Sequence, residues 1–143
     1  MRHIFVAGTF NRFHAGHERL LSRALREQRD GGGMIVVGVT SDAYASKHKT
    51  VGVTPYGERC VRVADFLQSR GADSYRIESI SGPELLTDLQ TTKDDVLICA
   101  TDTKDNAVRA LEAVPEDIRP ALVEIWRDPA MPSSTEMIKA EVR

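Results

Sequence analysis

The stretch MIVVGV, Met34–Val39, carries no charge and no polar alternation. A strand with one face in water alternates, so this one is expected to be covered on both faces, as the parallel strands of an α/β sheet are. The neighbouring segments fit that plan. Upstream, HIFVAG (His3–Gly8) reads as a first strand, followed by a helix over Ala15–Gln28 and a glycine-rich turn at Gly31–Gly33. Downstream, SDAYASKHKTVGVTPYG (Ser41–Gly57) reads as loop with at most one helical turn. Within it, Thr54 followed by Pro55 starts a helix with proline at its first position. Its pattern runs through Val61, Ala64, Phe66 and Leu67 and stops at Gly71.

The remaining units repeat the alternation. SYRIESI (Ser74–Ile80) gives a third strand, and Ser81 with Glu84 resembles a capping box that opens a short helix toward Leu89. DVLICA (Asp95–Ala100) is a fourth strand, Lys104–Ala113 a helix, and ALVEIW (Ala121–Trp126) a fifth strand. The closing PSSTEMIKAEVR places Ser133 three residues before Glu136 and reads as a C-terminal helix. The prediction is an α/β fold: one domain over residues 1–143, with a doubly wound, five-stranded parallel sheet, right-handed crossovers and a C-terminal helix. In such sheets a ligand sits beyond the C-terminal strand ends, where the strand order reverses.

Composition narrows the function classes. Nineteen Lys and Arg against 21 Asp and Glu give a net charge of -2, which argues against a basic nucleic-acid face and against an acidic tail. The two cysteines, Cys60 and Cys99, fall in a helix and a buried strand without CxxC spacing, which reads as reduced structural thiols in a cytoplasmic protein. Apolar runs fall far short of the ~20 residues that span a bilayer, so no membrane partner is expected.

The first strand ends in GTFNRFHAGH, Gly8–His17. Gly8 lets the backbone turn and approach a ligand, and Gly16 can do the same at the helix start. His14 and His17 are three apart, so in a first helical turn their rings share a face. A helix N-terminus already favours an anion through its unpaired N–H groups and dipole, and imidazoles there add directed donors, so the stretch reads as a phosphate site. The plainer alternative has His14 capping the helix and His17 packing on the sheet. Zinc lacks a third ligand with suitable spacing and an HExxH stretch. Neither a Walker A loop nor GxGxxG is present.

GTFNRFHAGH resembles the GTFDxxHxGH signature of the HxGH nucleotidyltransferase superfamily, whose Rossmann-like members transfer a nucleotidyl group to an anionic acceptor. Within it, VGVTSDAYASKHK, VTPYGERCVRVADFL and PSSTEMIKAEV resemble the lysine-loop, PYEER and ISSTxIRxGEI segments of the archaeal and eukaryotic type of pantetheine-phosphate adenylyltransferase. The resemblance implies transfer of AMP from ATP to 4'-phosphopantetheine, giving dephospho-coenzyme A and pyrophosphate. Magnesium enters as the counter-ion of ATP and no metal is held by the protein. The partners it implies are ATP and a small phosphorylated acceptor; monomer and homo-oligomer both stay open.

By the same resemblance, His17, His14, Lys47 and Thr9 are the catalytic candidates. His17 stabilises charge on the α-phosphate, Thr9 holds the reacting phosphates, and Lys47 neutralises phosphate during transfer. Gly8, Thr9, Phe10, His14, Gly16 and His17 form the nucleotide loop, with Gly16 leaving room for the nucleotide. Ser133, Ser134 and Thr135 wrap the β- and γ-phosphates, although an ordinary capping box places donors at the same helix start. Asp102 lies past the fourth strand on the ligand side, where helix capping is the plainer account. Lys47, His48 and Lys49 would by spacing alone read as a solvated basic patch. Arg59 supports the acceptor or the lysine loop, or makes a surface salt bridge, and His3 is structural.

Three positions depart from the pattern. Asn11 replaces the signature aspartate while keeping a capping side chain, Gly57 replaces the first glutamate of PYEER, and Ile138 followed by Lys139 stands at the terminal arginine. A lysine is a point charge without the arginine fork. The alternatives are a nucleotidyltransferase for nicotinamide or flavin mononucleotide or, with CTP, for a small alcohol phosphate, and a nucleotide-binding protein with little turnover.

Overall fold

A computed structural model describes residues 2–48, 52–81, 86 and 91–125. In chain order these form β1 (His3–Gly8), α1 (Ala15–Gly31), β2 (Met34–Thr40), α2 (Asp42–His48), α3 (Tyr56–Ser69), β3 (Tyr75–Ile80), β4 (Val96–Ala100), α4 (Lys104–Glu112) and β5 (Ala121–Ile125). Short 3₁₀ turns occupy Thr101–Thr103 and Glu116–Ile118. The five strands pair in the order β3-β2-β1-β4-β5, every pair parallel. This is the doubly wound sheet of Rossmann type expected from the apolar runs. The expected C-terminal helix and the short helix after Ser81 fall largely or wholly outside the described residues, as do Ser133, Ser134 and Thr135.

Both faces of the central strands are buried, which is why MIVVGV and HIFVAG lack polar alternation. On one face Ile4, Val6, Ile35 and Val37 pack with Leu21 and Ala24 of α1 and Val63 and Leu67 of α3. On the other, Phe5, Val36, Leu97 and Cys99 meet Ala107, Ala110 and Leu111 of α4. Phe5 lies in register with both Val36 and Leu97, so its fully buried ring sits at the middle of that second layer. Truncating it to alanine is expected to remove about 3–5 kcal/mol.

Several local expectations shift. α1 runs on to Gly31 and stops where Gly32 and Gly33 take φ of 71° and 114°, a region L side chains rarely adopt. The segment carrying Lys47 is a seven-residue helix, α2, where a loop with one turn was expected. Pro55 is the N-cap of α3 and not its first helical residue. The buried stripe of α3 is Arg59, Val63 and Leu67, at four-residue spacing, whereas Val61 is 57% exposed. Neither Cys60 nor Cys99 is in a disulfide; the first is half-buried and the second buried.

Because β1 is flanked by β2 on one side and β4 on the other, the chain reverses its direction of winding between β1 and β4. The crevice at a reversal of this kind lies at the C-terminal strand ends. Gly8 ends β1 there, and the Thr101–Thr103 turn, which includes Asp102, ends β4 beside it.

Candidate functional site

The loop from β1 to α1 is held in a costly conformation. Phe10 and Arg12 have φ of 55° and 52°, left-handed values that cost a non-glycine residue of order 1–2 kcal/mol each. Two features hold the loop there. Phe10 is 2% exposed and belongs to the core layer under α1, and a Cβ on Gly8 would lie 3.3 Å from its ring. Asn11, fully buried between the two left-handed residues, accepts from the Thr54 N–H at 2.8 Å and donates Nδ2–H to the Gly52 carbonyl at 3.1 Å. Asn11 therefore ties the loop to the segment before α3 and does not cap α1.

His14 is the N-cap of α1. Its Nδ1 accepts from the Gly16 N–H at 3.0 Å, and its own backbone N–H donates to Nδ1 of His17 at 3.2 Å. The two imidazoles thus close a reciprocal capping box and stack with ring centroids 3.9 Å apart. His17 lies 5.2 Å from the ring of Phe10 and 5.4 Å from that of Phe13. Since Nδ1 of each ring accepts a backbone proton, it carries none itself, and in the neutral ring the proton sits on Nε2. Each imidazole is then an Nε2–H donor fixed at a helix N-terminus. The capping expected in the plainer reading is present, and it is the device that sets the donors.

Gly16 acquires a local reason. A Cβ there would stand 2.8 Å from Cε1 and 3.1 Å from Nδ1 of His14, so the space the missing side chain leaves is filled by the capping ring.

Thr9 follows β1 and accepts from the Thr40 hydroxyl, at the end of β2, at 3.1 Å. Beneath them lies Arg59, 1% exposed, a position the sequence left between the ligand, the lysine segment and the surface. Its Nε donates to the Thr54 carbonyl at 2.7 Å, Nη1 to the carbonyls of Thr9 and Thr40 at 2.9 and 2.8 Å, and Nη2 to the Asp42 carboxylate at 2.8 Å. The surface reading of Arg59 is corrected: it is an internal tie among the ends of β1 and β2, the start of α2 and the segment entering α3. Its place on the stripe with Val63 and Leu67 was the available signal. Lys47 is exposed in the last turn of α2.

Tyr56 sits at the start of α3 with the Arg59 guanidinium 5.8 Å from its ring centroid. Burial pushes its phenol up to about 12, helped by Cys60 and opposed by Ser79 and Arg59. His3 lies at the far end of the sheet, its Nδ1 3.5 Å from Asp95. Among the described residues no three His, Cys, Asp or Glu gather to hold a metal ion, and no helix is long and apolar enough to cross a membrane.

The loop with paired imidazoles at the reversal point of a parallel sheet lies within the region that the comparisons with known proteins match. The sequence model of the cytidylyltransferase-like family covers residues 5–141. The phosphopantetheine adenylyltransferase of Methanopyrus kandleri is 35% identical over 112 residues, 78% of this chain and 68% of that protein. The enzyme of that name from Methanothermobacter thermautotrophicus is 38% identical over 80 residues, 56% of this chain and 45% of its own length. A crystal structure of a protein of unknown function from Archaeoglobus fulgidus superposes with a TM-score of 0.72 at 26% identity, over 93% of each chain. Together these define a protein of nucleotidyltransferase type, related to enzymes that act on a phosphorylated small molecule. The chain belongs to the cytidylyltransferase-like family.

Proposed function

We propose that the chain is an adenylyltransferase that transfers AMP from ATP to 4'-phosphopantetheine, releasing pyrophosphate. The observation that carries the reading is the His14 and His17 capping box, which turns each Nδ1 onto a backbone N–H and holds both imidazoles at the N-terminus of α1 beside the β1–β4 reversal. The likeness to phosphopantetheine adenylyltransferases supports the nucleotide and the acceptor.

In the proposed reaction an oxygen of the acceptor phosphate attacks the α-phosphorus of ATP in line. The new P–O bond forms as the bond to the bridging oxygen of the β-phosphate breaks, and pyrophosphate leaves. Catalysis of this kind is mainly positioning and neutralisation of oxygens. His17 and His14 donate through Nε2–H to phosphate oxygens at the positive end of the α1 dipole. Thr9 orients the reacting phosphates, and Lys47 offers a mobile positive charge from α2. Asp102, in the turn after β4, is assigned to the nucleotide, and Ser133, Ser134 and Thr135 to the distal phosphates. Phe10 contributes through its backbone, since its ring is in the core. Magnesium carried by the triphosphate would supply charge neutralisation there.

A second reading, transfer from CTP to a different phosphorylated acceptor, is favoured by the family description alone. Pyrophosphate release measured with ATP or CTP across 4'-phosphopantetheine, nicotinamide and flavin mononucleotides and small alcohol phosphates separates the two. Turnover confined to ATP with 4'-phosphopantetheine is the expected result. Turnover with another pair replaces the acceptor and keeps the class, and nucleotide binding without turnover on any pair ends the enzymatic reading.

A further inference from the structure

The signature aspartate is replaced here by Asn11, and the buried hydrogen bonds around it show what the replacement does. A single residue, Thr54, is gripped on both sides: Asn11 Oδ1 accepts its N–H at 2.8 Å and Arg59 Nε donates to its carbonyl at 2.7 Å. Asn11 also donates to the Gly52 carbonyl, a bond that an ionised carboxylate at the same place has no proton to make. Arg59 continues the chain of contacts to the Thr9 carbonyl in the phosphate loop and to Asp42 in the first turn of α2.

We infer that Arg59 and Asn11 act together through Thr54 as positioning residues that fix the lysine-bearing helix α2 and the segment 52–54 against the phosphate loop. The inference rests on the adenylyltransferase reading for its effect on turnover, and on the structure alone for the coupling. Arg59 and Asn11 are both buried, so neither is assigned a contact with substrate; they act through Thr9 and through the helix that carries Lys47. The neutral amide at 11 lets Asp42 be the carboxylate that faces the buried guanidinium, which leaves α2 as the element the arginine draws in. The four bonds span directions that only a guanidinium fork reaches, so lysine is not an equivalent here.

The test uses the full chain carrying Arg59→Lys, Asn11→Asp, or both. Backbone amide exchange without nucleotide is read first. In Arg59→Lys the Thr54 amide, whose acceptor is the untouched Asn11, is expected to exchange at least ~10-fold faster, together with amides of α2 such as Ala45, while the core amides of β1 hold. Thr54 protection unchanged in Arg59→Lys overturns the relay. Turnover is read second. Each single variant is expected to lower kcat by ~10–100-fold, the loss a displacement of order 1 Å brings, with KM for ATP changed less than threefold. Because both act on one residue, the double variant should fall little below the worse single one; effects that multiply overturn the coupling. If Arg59→Lys does not fold, Asn11→Asp and Asp42→Asn carry the same readouts from the other two ends. Inactivity of the unsubstituted protein refutes the adenylyltransferase reading, and the exchange result still decides the coupling.

Discussion

Gly16→Ala is a perturbation whose effects on stability and on activity should separate. The added Cβ would stand 2.8 Å from Cε1 of His14, where ordinary contact begins at 3.4 Å, so the ring must retreat by at least about 0.6 Å. That movement stretches the 3.0 Å bond from the Gly16 N–H and disturbs the 3.9 Å stack with His17. Loss of an N-cap costs about 1 kcal/mol, and replacing glycine by alanine inside the first turn returns up to about 1 kcal/mol. The two nearly cancel, so stability should stay within about 1 kcal/mol and the melting temperature within about 4 °C of the parent. The donors, however, are displaced by a large fraction of an ångström, which is expected to lower kcat roughly 10–100-fold. Thermal melting and steady-state pyrophosphate release on the same preparation decide it. Full activity in Gly16→Ala, or a loss of several kcal/mol, would refute the account of the His14 ring as the group that requires a glycine.

Other perturbations follow from the same geometry. His17→Ala removes one donor and half of the capping box, and should lower turnover by ~10²–10³-fold while costing about 1 kcal/mol in a denaturant titration. Arg59→Ala leaves the carbonyls of Thr9, Thr40 and Thr54 without their buried donor and should destabilise by about 3–5 kcal/mol, read as a lower urea midpoint; a change below 1 kcal/mol would contradict its role as an internal tie. Glu27 is pushed up by burial, but its bonds to Arg2 and Arg23 outweigh this and hold it below the usual carboxylate range. Its contribution is therefore present above the unfolded carboxylate pKa and lost as pH falls through the lower folded one; Glu27→Gln should flatten the acid limb of the stability profile, and an unchanged limb would count against the pairing. Tyr56, raised to about 12, stabilises the fold fully below the unfolded tyrosine pKa and loses that contribution as pH rises through the folded value. Tyr56→Phe should remove the latest step in a phenolate absorbance titration.

Much of the fold was legible because its strands are buried on both faces. A run such as Met34–Val39 reports its own environment, and the boundaries of the first four strands differ from those read by one residue at most. The histidine pair was legible for a similar reason, since spacing three apart at a strand end is a local pattern. Less local facts were not. Val61 looked like a core position, yet the stripe that faces the sheet passes through Arg59, and an arginine inside a core is not suggested by hydrophobicity. The role of Asn11 depends on partners 41 and 43 residues away, so the sequence suggested only a capping side chain. The left-handed backbone at Phe10 and Arg12 had no residue-type signal, because neither is a glycine, asparagine or aspartate.

The reaction proposed for this loop is transfer of AMP to 4'-phosphopantetheine. The most direct measurement is the mass-resolved product of the purified chain with magnesium, ATP and 4'-phosphopantetheine, compared with His17→Ala. The account predicts dephospho-coenzyme A and pyrophosphate in equal amounts, abolished or strongly reduced in the variant. No adenylylated product with the parent chain, or the same yield with His17→Ala, would contradict it.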